Sequence, residues 1–127
     1  MSWDFDNDRP IYQQIVRHLE RAVVGGEYPP GGKLPTVREL AADAGVNPNT
    51  MQRALSELEN EGLVSTKRTS GRFVTEDLDL IKDMRKRIAV DHTDIYLNAM
   101  HELGYEEQAI IHLIGTRQKK IGGLTAR

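Results

Sequence analysis

A chain of 127 residues, 39% hydrophobic and 28% charged, has room for one domain or a small domain with an appendage, and it lacks the eighteen or so consecutive apolar residues of a membrane span. Its formal net charge of -2 excludes a protein that coats nucleic acid through bulk charge, so any such contact must come from a local patch. It holds no cysteine, and its acidic start MSWDFDNDRP lacks the basic and apolar segments of a signal peptide, so a cytoplasmic protein without disulfide or thiol chemistry is expected.

From Pro10 to Val24, the residues Ile11, Ile15, Leu19, Ala22 and Val23 recur every three or four positions. That period predicts an amphipathic helix, with Asp8 as cap and Pro10 in the first turn. Gly25-Gly26 ends it, and EYPPGGKLP is a run of turn formers. A second, short helix starts at Thr36, whose capping-box partner is Glu39; it turns Val37, Leu40 and Ala41 inward and stops at Gly45 in a left-handed conformation. Asn47 and Pro48 restart the chain as cap and first residue of a third helix, Pro48 to Glu61, with Met51, Ala54, Leu55 and Leu58 on its buried face and Gly62 beyond. Leu63 to Lys67 and Arg72 to Thr75 then read as two short strands, joined through Arg68-Thr69-Ser70-Gly71 into a hairpin.

Past Thr75 the residues Leu78, Ile81, Met84 and Ile88, then Ile95, Tyr96, Ala99, Met100 and Leu103, are spaced for a long helix, with a bend or break expected near Val90 to Thr93. Gly104 ends it. A last helix from about Tyr105 to Ile114 carries Ala109, Ile110 and Leu113 on one side, and Gly115 to Arg127 reads as a polar basic tail that keeps the end soluble. So short a helical pair leaves its apolar stripe wet, and a second copy of the chain is the simplest cover. The residues expected to dimerise are Leu78, Ile81, Met84, Ile88, Ile95, Tyr96, Met100, Leu103, Ile110 and Leu113.

The candidate chemistry lies in GVNPNTMQRAL, Gly45 to Leu55. With Met51 as origin and 100° per residue, Ala54, Leu55 and Leu58 fall within about 60° of it, while Asn49, Arg53, Ser56 and Asn60 lie near the opposite pole. The outer face therefore begins with Asn, Thr, Gln and Arg and ends in Glu57, Glu59 and Glu61. A helix entering a major groove tip-first needs that polarity, because amides and guanidinium groups pair with adenine and guanine edges and free N–H groups favour phosphate. A capped surface helix has a similar composition, so the stretch alone weighs evenly between the two readings. Its neighbours favour DNA: Lys33, Thr36 and Arg38 on one side, and Lys67, Arg68 and Arg72 on the hairpin, place cations at two flanking points.

No other constellation competes. His18, His92, His101 and His112 lack a His-x-x-x-His spacing, and Asp4, Asp6 and Asp8 lack the glycine and glutamate of a calcium loop, so neither metal nor cofactor is expected and the N-terminus reads as a solvated arm. Tyr96, Tyr105 and Met100 fit core or dimer contacts better than an effector cavity. No grouping of nucleophile, acid and base suggests an enzyme.

The stretch LPTVRELAADAGVNPNTMQRALSELENEGLVSTKRTSGRFV resembles the winged helix-turn-helix of GntR-type bacterial transcription regulators, and PIYQQIVRHLERAVVGGEYPPGGKLP is similar to that family's first helix and linker. NPNT-x-QRA and a region of only about 50 residues beyond the hairpin resemble the YtrA-like subfamily. The resemblance implies an α+β, mainly α fold: a winged helix-turn-helix DNA-binding domain over 1–76, a helical dimerisation and effector region over 77–115, and the tail over 116–127. It further implies a homodimeric repressor on a palindromic operator of double-stranded DNA, controlling a transporter operon, with any small-molecule effector unidentified. By position, Arg38 binds phosphate or a base edge with Thr36 nearby; Asn47, Asn49, Thr50, Gln52 and Arg53 read bases; and Lys67, Ser70, Gly71 and Arg72 belong to the wing. Pro48 stands where several other subfamilies have arginine, and RTSGR replaces the more usual glycine pair of the wing.

Overall fold

The computed structural model describes residues 3–120, and the chain divides into two compact units, Met1–Ile88 and Ala89–Arg127. In the first unit, α1 (Ile11–Val24) buries Ile15, Val16, Leu19, Ala22 and Val23, as the period requires. Its start differs from expectation. Asp8 provides no cap; Pro10 occupies the N-cap position, and the preceding turn is closed from inside the helix by Gln14. The Gln14 amide donates to the carbonyls of Asp6 (2.9 Å) and Arg9 (3.0 Å), and its Oε1 accepts from the Asp6 N–H (2.8 Å). A buried amide with both ends engaged substitutes for the cap.

The arm before α1 is docked through its aromatic side chains, while Asp4, Asp6 and Asp8 are exposed. Trp3 and Phe5 pack on the core, the Trp3 indole donates to Asp43 (2.8 Å), and its ring stacks on His18 at 3.9 Å. Burial, with Arg21 next, holds the His18 imidazole below its ordinary pKa, so the stack favours the neutral ring.

α2 (Val37–Ala44) carries the full capping box at Thr36 and Glu39 and ends at Gly45, whose φ of 72° and ψ of 35° are left-handed. α3 (Pro48–Asn60) begins at Asn47 and buries Met51, Ala54, Leu55 and Leu58 against α1 and α2. β1 (Val64–Lys67) and β2 (Gly71–Val74) pair antiparallel, Val64 with Val74 and Lys67 with Gly71. The run of turn formers before α2 does more than turn: Lys33 bridges to Phe73, the Leu34 N–H donates to Arg72 (2.9 Å), and the Val74 N–H donates to Gly32 (2.9 Å).

α4 (Leu78–Glu102) is continuous through Val90 to Thr93, where a break was expected. Neither glycine nor proline interrupts it, and the Thr93 hydroxyl donates to the Ala89 carbonyl one turn back (2.8 Å), so its polar group is satisfied within the helix. The first three turns of α4, Leu78 to Ile88, belong to the first unit. Ile81 and Met84 are each 4% exposed in its core, with Ile88 packed against them, so the compact unit runs to Ile88 instead of ending at 76. The expected dimer role of Ile81 and Met84 is corrected accordingly: the apolar surface they carry is covered by their own chain, whereas Ile88 is only partly buried.

α5 (Glu107–Lys120) outruns its expected end and contains Gly115. One glycine in a helix costs about 1 kcal/mol. A 14-residue helix with Glu107 at its start and Arg117, Lys119 and Lys120 at its end, each complementing the helix dipole, offsets that. The expected tail is thus helical to Lys120, and 121–127 lie outside the described residues. In the second unit Met100 and Ile110 are buried, whereas Ile95 (67%) and Leu103 (72%) are exposed together with Tyr96, Tyr105 and Ile111.

Candidate nucleic-acid interface

The reading surface starts where α3 starts. The Asn47 side chain accepts from the Asn49 N–H at 2.7 Å, and Pro48, which lacks an N–H, sits where a helix leaves one unsatisfied anyway. Capping and recognition are therefore not rivals: the cap holds Asn47 with its NH2 group still able to donate. Asn49, Gln52 and Arg53 are exposed, Thr50 is half-buried, and the Gln52 amide lies 3.4 Å from the Ser56 hydroxyl.

Arg53 is held by a residue that sequence reasoning did not single out. Its guanidinium lies 3.7 Å from the centre of the Tyr12 ring, a cation–π stack between α3 and α1. Asn49, Thr50 and Arg53 face Pro10, Ile11 and Tyr12 across a groove of about 450 Å³.

On α2 the Thr36 Oγ1 accepts from the Glu39 N–H (3.1 Å) while Glu39 accepts from the Thr36 N–H (2.9 Å). These bonds, the one to the Thr36 backbone first, hold the Glu39 carboxyl below its ordinary pKa. The Thr36 hydroxyl hydrogen remains free to donate outward. Arg38 is exposed and forms no ion pair among the described residues.

The hairpin departs most from expectation. Arg72 is not a free cation: its Nε donates to Glu59 Oε1 at 2.7 Å, the same oxygen accepts from the Thr66 hydroxyl at 2.9 Å, and the Arg72 and Glu59 side chains are 17% and 31% exposed. Arg72 holds the Glu59 carboxyl below its usual range. Glu59, which the helical wheel placed among outward acids, is thus the anchor between α3 and the wing. Gly71 has a φ of +106°, a conformation that favours glycine; a Cβ there would also come to 3.0 Å of the flexible Lys33 Cε, which could move aside. Ser70 closes the turn through its N–H to Lys67 (3.0 Å), and the Lys67 ammonium lies 4.7 Å over the Phe73 ring. The roles of Tyr12 and Glu59 were missed because their partners are distant in sequence and no local pattern marks such pairs; Lys33, expected as a flanking cation, also lies against Gly71.

Two helices joined by a glycine turn, a stitched hairpin beside them and a helix tip of amides and arginine define a winged helix-turn-helix DNA-binding protein. Residues 11–74 match the bacterial regulatory proteins of the gntR family, and the chain belongs to that family. It is 36% identical over 104 residues to the HTH-type transcriptional repressor YtrA of Bacillus subtilis, covering 73% of this chain and 80% of that one. A GntR family transcriptional regulator from Listeria monocytogenes superposes with a TM-score of 0.81 at 39% identity, over 88% of this chain and 98% of the other. The AraR DNA-binding domain in complex with operator ORX1 matches 59% of this chain and 96% of that one, with a TM-score of 0.55 at 26% identity. The chain is a YtrA-like transcription regulator that binds DNA, not an enzyme.

Proposed function

We propose that the protein is a cytoplasmic, homodimeric repressor whose two winged domains meet the half-sites of a palindromic operator. In this reading the α3 tip enters the major groove with Asn47, Asn49, Thr50, Gln52 and Arg53 toward the bases; Thr36 and Arg38 contact phosphate or a base edge; and Lys67, Ser70 and Gly71 lie along the minor groove. Arg72 acts indirectly, by holding the wing. The observation that carries the proposal is the gathering of Asn49, Thr50 and the stacked Arg53 on one groove at the start of α3.

Repression is supported by the likeness to the YtrA repressor, and operator binding by the likeness to AraR bound to its operator. Dimerisation through the second unit is supported by the exposed side chains of Ile95, Tyr96 and Leu103, with the half-buried Leu113 on the neighbouring helix. A transporter operon as target rests on the resemblance to the YtrA-like subfamily. A small-molecule effector would act by changing the spacing of the two α3 helices.

The test is titration of the protein against its own upstream DNA and a scrambled duplex at several salt concentrations. The reading expects a steep salt slope and a preference for the native site of roughly a thousandfold or more. Equal, weak binding to both would overturn it.

A further inference from the structure

The tip of α3 leans on a residue of another helix. Arg53, exposed on the outer face of α3, lies with its guanidinium 3.7 Å from the centre of the Tyr12 ring, in the first turn of α1. That ring is a fixed platform. It is half-buried against the core, its hydroxyl accepts from the Gln13 amide at 3.3 Å, and the turn before it is closed by the Gln14 amide through the carbonyls of Asp6 and Arg9.

A long arginine on a helix surface has a nearer place to go. Glu57 stands one turn along α3, at the spacing where opposite charges pair within a helix, yet among the described residues Arg53 forms no ion pair. The two arrangements differ in what they leave free. A carboxylate engages the edge of a guanidinium, where its five N–H donors lie, whereas an aromatic ring engages only its face. Stacking on Tyr12 therefore fixes Arg53 and leaves that edge open. A planar fork of this kind matches two acceptors side by side, as on a phosphate or on the O6 and N7 of guanine. Ordering it before DNA arrives also removes part of the cost of immobilising a flexible side chain on binding.

We propose that Tyr12 is a positioning residue for DNA recognition: its ring presents the edge of Arg53 to a pair of acceptors on the operator. This rests on the reading of α3 as the helix that meets the operator. It brings α1 into recognition without a base contact of its own. Pro10, Ile11 and Tyr12 line the same groove as Asn49, Thr50 and Arg53, so the first turn of α1 forms one wall of the surface offered to DNA.

The experiment titrates the full chain with its own upstream duplex and a scrambled one, comparing the natural protein with Tyr12→Leu, Tyr12→Phe, Arg53→Ala and the double variant of Tyr12→Leu with Arg53→Ala. Tyr12→Leu should weaken binding to the upstream duplex about three- to tenfold, and Tyr12→Phe, which keeps the ring, by less than about twofold. In the Arg53→Ala background Tyr12→Leu should cost nothing further. Without DNA, NMR relaxation of the Arg53 Nε–H should show an ordered side chain in the natural protein and in Tyr12→Phe, and a mobile one in Tyr12→Leu. Two signatures assign the acceptors. A salt slope lower by about 0.9 in Arg53→Ala means phosphate; an unchanged slope, with the advantage of the natural protein over Arg53→Ala lost on a duplex carrying 7-deazaguanine, means guanine. Absence of both overturns the proposal. If Tyr12→Leu fails to fold, Arg53→Lys, which keeps the charge but lacks the planar fork, should bind at least about threefold more weakly than the natural protein, and equal binding overturns the proposal. A natural protein that prefers its upstream duplex, beside a Tyr12→Leu variant that binds equally well, overturns the inference alone. So does an equal loss in Tyr12→Phe, or an undiminished cost of Tyr12→Leu in the Arg53→Ala background. Equal, weak binding of the natural protein to both duplexes overturns the operator reading, and this inference with it.

Discussion

The strut between Glu59 and Arg72 permits a quantitative test of how the wing is held. A hydrogen bond to a charged group contributes about 1.5 to 3 kcal/mol when well buried, and an exposed ion pair about 0.2 to 1. With side chains 17% and 31% exposed and a 2.7 Å contact, this pair falls between those limits, at about 1 to 2 kcal/mol. Arg72→Met, Glu59→Gln and the double variant, unfolded in urea, measure the coupling directly. The pH dependence follows from the depressed Glu59 pKa: its contribution is fully present above the carboxyl's ordinary value of 4.5 and is lost as pH falls through the lower folded value. Additivity within about 0.5 kcal/mol at pH 7 would refute the strut. DNA titration gives a second reading, since loss of a phosphate contact lowers the salt slope by about 0.9. Arg72→Met should weaken binding with the slope unchanged; a drop of that size would put Arg72 on the phosphate backbone.

Three further outcomes are expected. Because Glu61 keeps its proton up to about 7 when folded and releases it near 4.5 when unfolded, its stabilising contribution is complete below 4.5 and lost as pH rises to 7; in thermal melts the advantage of Glu61→Gln over the natural chain should therefore grow across that window, and a constant difference would contradict it. Gly45→Ala, forced into a left-handed conformation, should destabilise the fold by about 1 kcal/mol or more in urea titrations, and a neutral result would mean the turn readily takes another path. Ile95→Glu combined with Leu103→Glu should convert a dimer to monomers in sedimentation while the melting of the first unit stays unchanged; a persistent dimer would remove these side chains from the interface.

What could be read from the sequence was what is local. The capping box at Thr36 and Glu39, the left-handed Gly45, the Asn47-Pro48 start and the buried stripe of α3 each depend on residues a few positions apart. The misreadings share one cause. Ile81 and Met84 have a spacing equally suited to a dimer seam or a core, and only the position of the first unit decides for the core. Arg72 is a free cation on a hairpin drawn alone and a strut once α3 lies beside it. Likewise nothing near Arg53 marks Tyr12 as its platform, and nothing near Glu20 marks Glu61. Gly115 was given too much weight as a helix breaker, since one unfavourable residue is outvoted by thirteen others.

The stitching of Gly32, Lys33 and Leu34 to β2 has a consequence in time. Two four-residue strands are marginal as a free hairpin, and the edge that completes them comes from chain made roughly forty residues earlier. Contacts of that span must close a long loop before they return any stabilisation, whereas the caps of α2 and α3 close within three residues. On a growing chain α3 can therefore take shape while the wing still waits for Arg72 to Val74 to be synthesised. The hairpin is thus completed only after α3, and Ile81 and Met84, made later still, close the core beneath both.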